Sequence, residues 1–225
     1  MKIKRLTLFT KNLKEQQYFY GNTLGLEEAG ETASSICFRV GASLLCFEEN
    51  RNATPYHFAF NIPSFTENEA LAWIREGVEI LTDHGNEIQD FKSWNAKSLY
   101  FYDADKNIVE FISRRNLGYA AGEAFGPKSF REISELGLAV EDIRPFYNLL
   151  KEIIGLEIYD GQPDHFCAIG NEHGLLICID LATKTWYPTG DKAYASEFEL
   201  LLSEKNKEYI LTYFNRELKI TKLYE

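Results

Sequence analysis

A fold of α+β class, assembled from tandem βαβ-type units, is predicted by three features of this 225-residue sequence. First, the segment from Leu6 to Glu28 (LTLFTKNLKEQQYFYGNTLGLEE) lies over that from Leu136 to Ile158 (LGLAVEDIRPFYNLLKEIIGLEI) without a gap, 130 positions apart throughout. Leu8 answers Leu138, Leu13 answers Ile143, and Gly25, Leu26 and Glu27 answer Gly155, Leu156 and Glu157, so the chain reads as two copies of one plan. Second, short runs of strand character are interleaved with runs of apolar residues at helical spacing. Third, SLYFYDADKNIVEFISR carries apolar alternation on both sides of an Asp/Asn turn, the pattern of a hairpin.

Taken in order, the first copy predicts a strand from Leu6 to Thr10, a helix from Leu13 to Leu24 and two or three short strands up to Glu48. A strand from His57 to Ile62, a helix from Glu67 to Glu76 and a strand from Val78 to Thr82 follow. The helix rests on the spacing of Leu71, Ile74 and Val78 behind a Glu/Asn-rich start. The hairpin strands, Ser98 to Tyr102 and Ile108 to Ser113, complete the copy. In the second copy ICFRVG is answered by HFCAIG, LLCFE by LICID, and HFAFNIPS (His57 to Ser64) by EFELLLS (Glu197 to Ser203). A helix and then the strand LKIT (Leu218 to Thr221) are expected next, with no counterpart of the hairpin, so the second copy reads as shortened. The Gly- and Ala-rich stretch from Asn116 to Phe130 reads as a linker. The expected organisation is therefore a domain over 1–115, a linker over 116–130 and a second, shortened domain over 131–225.

Composition narrows the function classes. With 24 Lys and Arg against 34 Asp and Glu the net charge is −10, and no basic stripe is interleaved with aromatics, so neither nucleic acid nor an anionic membrane surface is an expected partner. The start MKIKRLTLFTKNL has no apolar run of secretory-signal length, and nowhere do about 18 apolar residues follow one another. A cytoplasmic location is expected. The four cysteines, Cys37, Cys46, Cys167 and Cys178, lie in apolar strand-like runs without zinc-finger spacing, and reduced, buried thiols are the expectation.

The strand followed by FYGNTLGLEE, the strand HFAFNIPS after a polar loop, and YFYDADKNIVEF, with its Asp-x-Asp-x-Asn turn and Glu110 on the strand after it, together resemble one family. The chain is similar to tandem members of the vicinal oxygen chelate superfamily: glyoxalase I, the fosfomycin and bleomycin resistance proteins and the extradiol ring-cleaving dioxygenases. The resemblance spans about the whole chain, strongly over 3–115 and more weakly over 130–225. It implies tandem βαβββ modules that pair to curl their strands into half-open, glyoxalase-like barrels around a ligand cavity. In metal-dependent members a divalent ion in that cavity receives two neighbouring substrate oxygens, which suits chemistry beside a carbonyl.

Carried over residue by residue, the resemblance puts His57 at the family's His position and Glu110 at its Glu position. The first-strand position, usually His, is Arg5, and a guanidinium does not coordinate a cation. Some family members build the site from the first strand of one pair and the later strands of another, and the counterpart of Arg5 in the second copy is Glu135 (5 + 130). His57, Glu110 and Glu135 are therefore the expected ligands of a divalent ion (Mn, Zn, Ni or Mg), with Glu110 also the proton-shuttling catalytic group. The partner site, with Arg5 and Glu197, is expected to be dead. Arg5, Trp94, Lys97 and Tyr100 are candidate substrate contacts, with Tyr102 beside them at the cavity mouth. His84, His165 and His173 have no ligand-spaced partner and are expected at the surface.

Each ligand also has a structural reading. His57 can be a strand residue bonded to a carbonyl, Glu110 can pair with Arg5, and Glu135 can face water. The functional expectation is a metal-dependent lyase or isomerase for a small molecule with vicinal oxygens. The rival is a metal-free binding or resistance protein, and a ring-cleaving dioxygenase is less favoured because Fe(II) oxygen chemistry wants two His and one carboxylate. The strand edge left by the shortened copy needs a cover, for which a second copy of the chain, giving a homodimer, is one candidate.

Overall fold

The computed structural model describes residues 1–122 and 124–223. The chain forms four successive strand-rich units. The first contains β1 (Lys2–Thr10), α1 (Leu13–Tyr18), β2 (Glu28–Glu31), β3 (Ser35–Val40) and β4 (Ser43–Glu49). The second contains β5 (His57–Ile62), α2 (Glu67–Ile74), β6 (Ile80–Leu81), β7 (Gln89–Phe91), β8 (Ala96–Tyr102) and β9 (Ile108–Arg114). The third contains β10 (Glu132–Val140), α3 (Ile143–Ile153), β11 (Ile158–Gln162), β12 (Phe166–Asn171) and β13 (Gly174–Asp180). After a small hairpin, β14 (Thr185–Trp186) and β15 (Asp191–Lys192), the fourth unit is a meander of β16 (Phe198–Glu204), β17 (Lys207–Phe214) and β18 (Glu217–Leu223). The α+β class is as the sequence predicts, and the βαβββ plan implied by the resemblance holds in the first and third units, while the second has the short β6 and β7 side by side on β8.

The units pair across the copies. Unit one joins unit four in a seven-stranded sheet, β18-β17-β16-β1-β4-β3-β2, and unit three joins unit two in a nine-stranded sheet, β11-β12-β13-β10-β5-β9-β8-β6, with β7 also on β8. In β5 the alternation sends Phe58, Phe60 and Ile62 into a core shared with Leu6 and Leu8 of β1, Leu136 and Leu138 of β10 and Leu200 of β16. His57 and Ala59 point to the opposite face, as period-two alternation requires. All six residues of β5 are buried, so both of its faces are covered.

The helices obey ordinary rules. Helix α3 buries Ile143, Phe146 and Leu150 on one stripe, and Asp142 caps it by accepting a hydrogen bond from the Arg144 backbone N–H at 2.9 Å. Helix α1 is shorter than expected, because from Phe19 to Thr23 the backbone widens and the Leu24 N–H reaches back five residues to the Phe19 carbonyl. The strand expected from Val78 to Thr82 is reduced to β6.

Two expectations are corrected. The helix expected after Ser203 is the strand β17, in which Tyr209, Leu211 and Tyr213 are buried in alternation; a period of two in aromatic and β-branched residues selects a strand. Cys37 and Cys46, expected as thiols, face each other across β3 and β4 and form a disulfide. Cys167 and Cys178 occupy the matching cross-strand positions of β12 and β13 and are free and buried. Among the described residues no helix is long and apolar enough to cross a membrane.

The β8–β9 turn is anchored by a buried carboxylate. Asp103 accepts hydrogen bonds from Gln16 (3.0 Å) and Tyr20 (2.9 Å) of the first unit and from the Asn107 side chain (2.7 Å) and backbone (2.9 Å). Burial raises its carboxyl to about 6, against those donors. Asp103→Ala strands the Tyr20 hydroxyl and the Gln16 amide in the core, and is expected to lower unfolding free energy by roughly 3 kcal/mol or more, read from urea denaturation.

Candidate metal centre

The site sits on the concave face of the nine-stranded sheet, where β5 is flanked by β9 in parallel and β10 antiparallel. Ala59 is the register partner of both Glu110 on β9 and Glu135 on β10, so the two carboxylates flank one small residue and meet above it. A register shift between Ile133 and Glu135 has the character of a bulge, which re-aims side chains. His57, two residues before Ala59, lies on the same face. One ligand atom each from His57, Glu110 and Glu135 falls within 4.8 Å of the others, and all three residues are buried.

His57 makes the carbonyl contact anticipated for it and still presents a donor. Its Nδ1 lies 3.1 Å from the Ile108 carbonyl, which can only accept, so Nδ1 carries the proton and Nε2 keeps its lone pair. Nε2 faces Glu110 Oε2 at 3.6 Å. Burial lowers the imidazole from 6.5 to about 4, so the neutral, ligating form holds at neutral pH. Burial and the Glu135 charge raise Glu110 from 4.5 to about 8. Burial also raises Glu135, but an adjacent guanidinium opposes it. A proton shared by the two carboxylates therefore belongs on Glu110.

That guanidinium belongs to Arg114, the end of β9, which ion-pairs with Glu135 and is fully buried. Sequence reasoning missed it. The available signal was its position four residues after Glu110 on one strand, which puts both on the same face. Arg5, expected to contact substrate or to pair with Glu110, does neither. It lies on β1 in the other sheet and pairs with Glu199 at 2.8 Å.

The register explains why. Glu135 of β10 pairs with Ala59 of β5, and Arg5 of β1 pairs with Leu201 of β16. The counterpart of His57 is therefore Glu199, two residues beyond the expected Glu197. Ile210 of β17, paired with Leu201, stands where Glu110 would.

A cavity of about 360 Å³ opens above the three candidate ligands, lined by Phe91, Trp94, Tyr100, Ile112, Phe166, Ile177, Ile179, Trp186 and Tyr187. Trp94 and Tyr100 are among the lining residues anticipated, and the Trp94 indole N–H donates to Asp160 at 2.6 Å. Lys97 is not. Strand alternation turns it to the opposite face of β8 from Tyr100, where it lies 3.9 Å from Glu67. Tyr102 sits at the rim and bonds to Asp191 of the β14–β15 hairpin.

That hairpin was also unanticipated. It brings Trp186 to 5.2 Å from the His57 ring and Tyr187 to 5.6 Å from the Tyr100 ring. Gly137 makes room for it: a Cβ there would fall 2.6 Å from the Trp186 ring and 3.0 Å from His57 Cβ. His84 and His165 are exposed, and His173 joins Glu132 and Tyr119 away from the cavity.

No protein-family model matches the chain. The metallothiol transferase FosB of Staphylococcus haemolyticus (strain JCSC1435) is 28% identical over 116 residues, which span 48% of this chain and 80% of that protein. Among solved structures, a candidate dioxygenase from Bacillus subtilis subsp. subtilis str. 168 is similar with a TM-score of 0.65 at 14% identity, over 99% of this chain and 84% of its own. A lactoylglutathione lyase from Agrobacterium tumefaciens matches with a TM-score of 0.45 at 17% identity, over 52% of this chain and 96% of its own. The paired βαβββ units around a concave face of buried imidazole and carboxylates define a glyoxalase-type fold. In that fold, and in sequence over the stretch shared with FosB, the chain is similar to members of the vicinal oxygen chelate superfamily.

The two shifted groups make opposite demands on pH in the metal-free protein. Glu110, raised from 4.5 to about 8, contributes stability that is fully present below 4.5 and lost as pH rises through about 8. His57, lowered from 6.5 to about 4, contributes stability present above 6.5 and lost as pH falls through about 4. The expected outcome is that chelator-treated protein melts lower at pH 9 than at pH 6, and that Glu110→Gln removes most of this difference in parallel thermal melts.

Proposed function

We propose that the protein is a divalent-metal-dependent enzyme of lyase or isomerase type, acting on a small molecule with two neighbouring oxygens, with His57, Glu110 and Glu135 as the ligands. The observation that carries this reading is the convergence of three buried donors within 4.8 Å at the floor of an aromatic cavity. The donor set fits a cation: an imidazole nitrogen with a bare lone pair, and two carboxylates whose burial together pushes a proton onto Glu110. A cation relieves that penalty. One His with two carboxylates leans towards harder ions such as Mn²⁺ or Mg²⁺ and accommodates Zn²⁺ or Ni²⁺.

A bound ion would supply Lewis acidity that polarises both substrate oxygens. The Ile108 carbonyl fixes the His57 ring and its tautomer. Glu110, ionised once a cation is held, would be the carboxylate that takes the proton from the substrate carbon and returns it. Trp186 and Tyr187 line the cavity and add apolar surface around the substrate's place.

A metal-free binding role is the second reading, favoured by the Arg114–Glu135 pair, which neutralises one carboxylate without an ion. Ring cleavage is disfavoured because the set holds one His.

Elemental analysis of untagged protein, followed by titration of the chelator-treated form with Mn²⁺, Zn²⁺ and Ni²⁺, separates the readings. The expectation is one equivalent per chain, with affinity weakened by about two orders of magnitude in His57→Ala and Glu135→Ala. Absence of binding or thermal stabilisation by any ion would overturn the metal-dependent reading and leave the metal-free one.

A further inference from the structure

Arg114 is more than a counter-charge for Glu135. One of its terminal nitrogens holds Glu135, while Nε and Nη1 have no hydrogen-bond partner. Its guanidinium lies 5.3 Å from the centre of the Trp94 ring, and Trp94 lines the cavity. A guanidinium cannot shed its charge, and buried donors left idle are costly, so this arrangement leaves a cation with unused bonding capacity beside the ligand space.

The charges of the site point the same way. With both carboxylates ionised and a divalent ion on them, Arg114 leaves one surplus positive charge. The other charged residues of the lining, Asp160 and Lys184, are exposed and opposite in sign, so they do not remove it. A buried surplus charge is tolerated only when paired.

We infer that Arg114 competes with the metal for Glu135 and, once the ion has that carboxylate, offers its guanidinium to a small monoanionic ligand, so that ion and anion bind cooperatively. This rests on the metal-dependent reading above and narrows its substrate class. The favoured ligand carries two adjacent oxygens and one negative charge on a flat apolar body, the charge for Arg114 and the body for the aromatic lining. A neutral molecule of the same shape lacks the coupling.

The test is calorimetric titration of Mn²⁺ into the chelator-treated full chain, alone and with saturating mandelate or 1-phenyl-1,2-ethanediol. These are an anionic and a neutral probe with adjacent oxygens and a phenyl ring. In the native chain mandelate is expected to tighten Mn²⁺ binding about 10-fold more than the diol does. Arg114→Gln is expected to bind Mn²⁺ alone about 10-fold more tightly than the native chain and to lose the mandelate effect. Mn²⁺ affinity in Arg114→Gln equal to or weaker than native, or equal enhancement by mandelate and diol, would overturn the inference.

Should Arg114→Gln fail to fold, the mandelate–diol comparison in the native chain and in Arg114→Lys decides. The lysine variant keeps the charge and loses the planar fork, so a weakened but surviving preference for mandelate is expected, and no preference in either chain overturns the inference. If no chain takes up any ion, the metal-dependent reading falls with it; if ions bind without this pattern, only the Arg114 coupling falls.

Discussion

The site depends on the antiparallel pairing of β5 with β10. That pairing joins the second unit to the third, placing Glu135 across Ala59 from Glu110. His57 and Glu110 come from one copy of the plan and Glu135 from the other, so neither copy assembles the set alone. The register must hold within one residue, because a slip of one would turn Glu135 into the apolar core and bring Leu136 or Ser134 to the ligand face. The shared core of Phe58, Phe60, Leu136 and Leu138 resists that slip by making it a loss of apolar burial on both strands.

The same pairing rule operates in the other sheet with a different outcome. β1 and β16 repeat the geometry, including the irregularity between Ile3 and Arg5, but the corresponding positions hold Arg5, Glu199 and Ile210. An ion pair, half-exposed on both sides, occupies the place of two ligands, and an aliphatic side chain replaces the third. One face keeps buried, incompletely compensated charge, while its counterpart has become self-neutralising. It is the nine-stranded sheet that keeps three buried donors together.

Much of this was legible in the sequence, for identifiable reasons. The constant offset of 130 gives away the duplicated plan, and period-two alternation gives β5 with both of its ends. The Arg5-to-Glu135 equivalence follows from the offset alone, because the two residues immediately precede its gapless stretch. Legibility failed where alignment needed gaps: Glu197 was read for Glu199, and a helix for β17. It also failed for interactions between strands. Neither the Arg114–Glu135 pair nor the Cys37–Cys46 bond has a local signature, since each depends on which strand becomes a neighbour. The β14–β15 hairpin lay in a polar, turn-rich stretch whose destination over the cavity is set by aromatic contacts with Tyr100 and His57.

Gly137 has a consequence of its own. It stands two residues after Glu135 on β10, and the Trp186 indole rests where its side chain would be. How near the aromatic cover approaches the ligands is thus set by an atom that is missing. In a relative with alanine or valine here the same hairpin would ride higher and His57 would give way slightly, so the chamber would admit a thicker molecule over the same three residue types. One dimension of the chamber is then written in the backbone strand beneath the hairpin, and it can change through β10 while the identities of the three buried donors stay as they are.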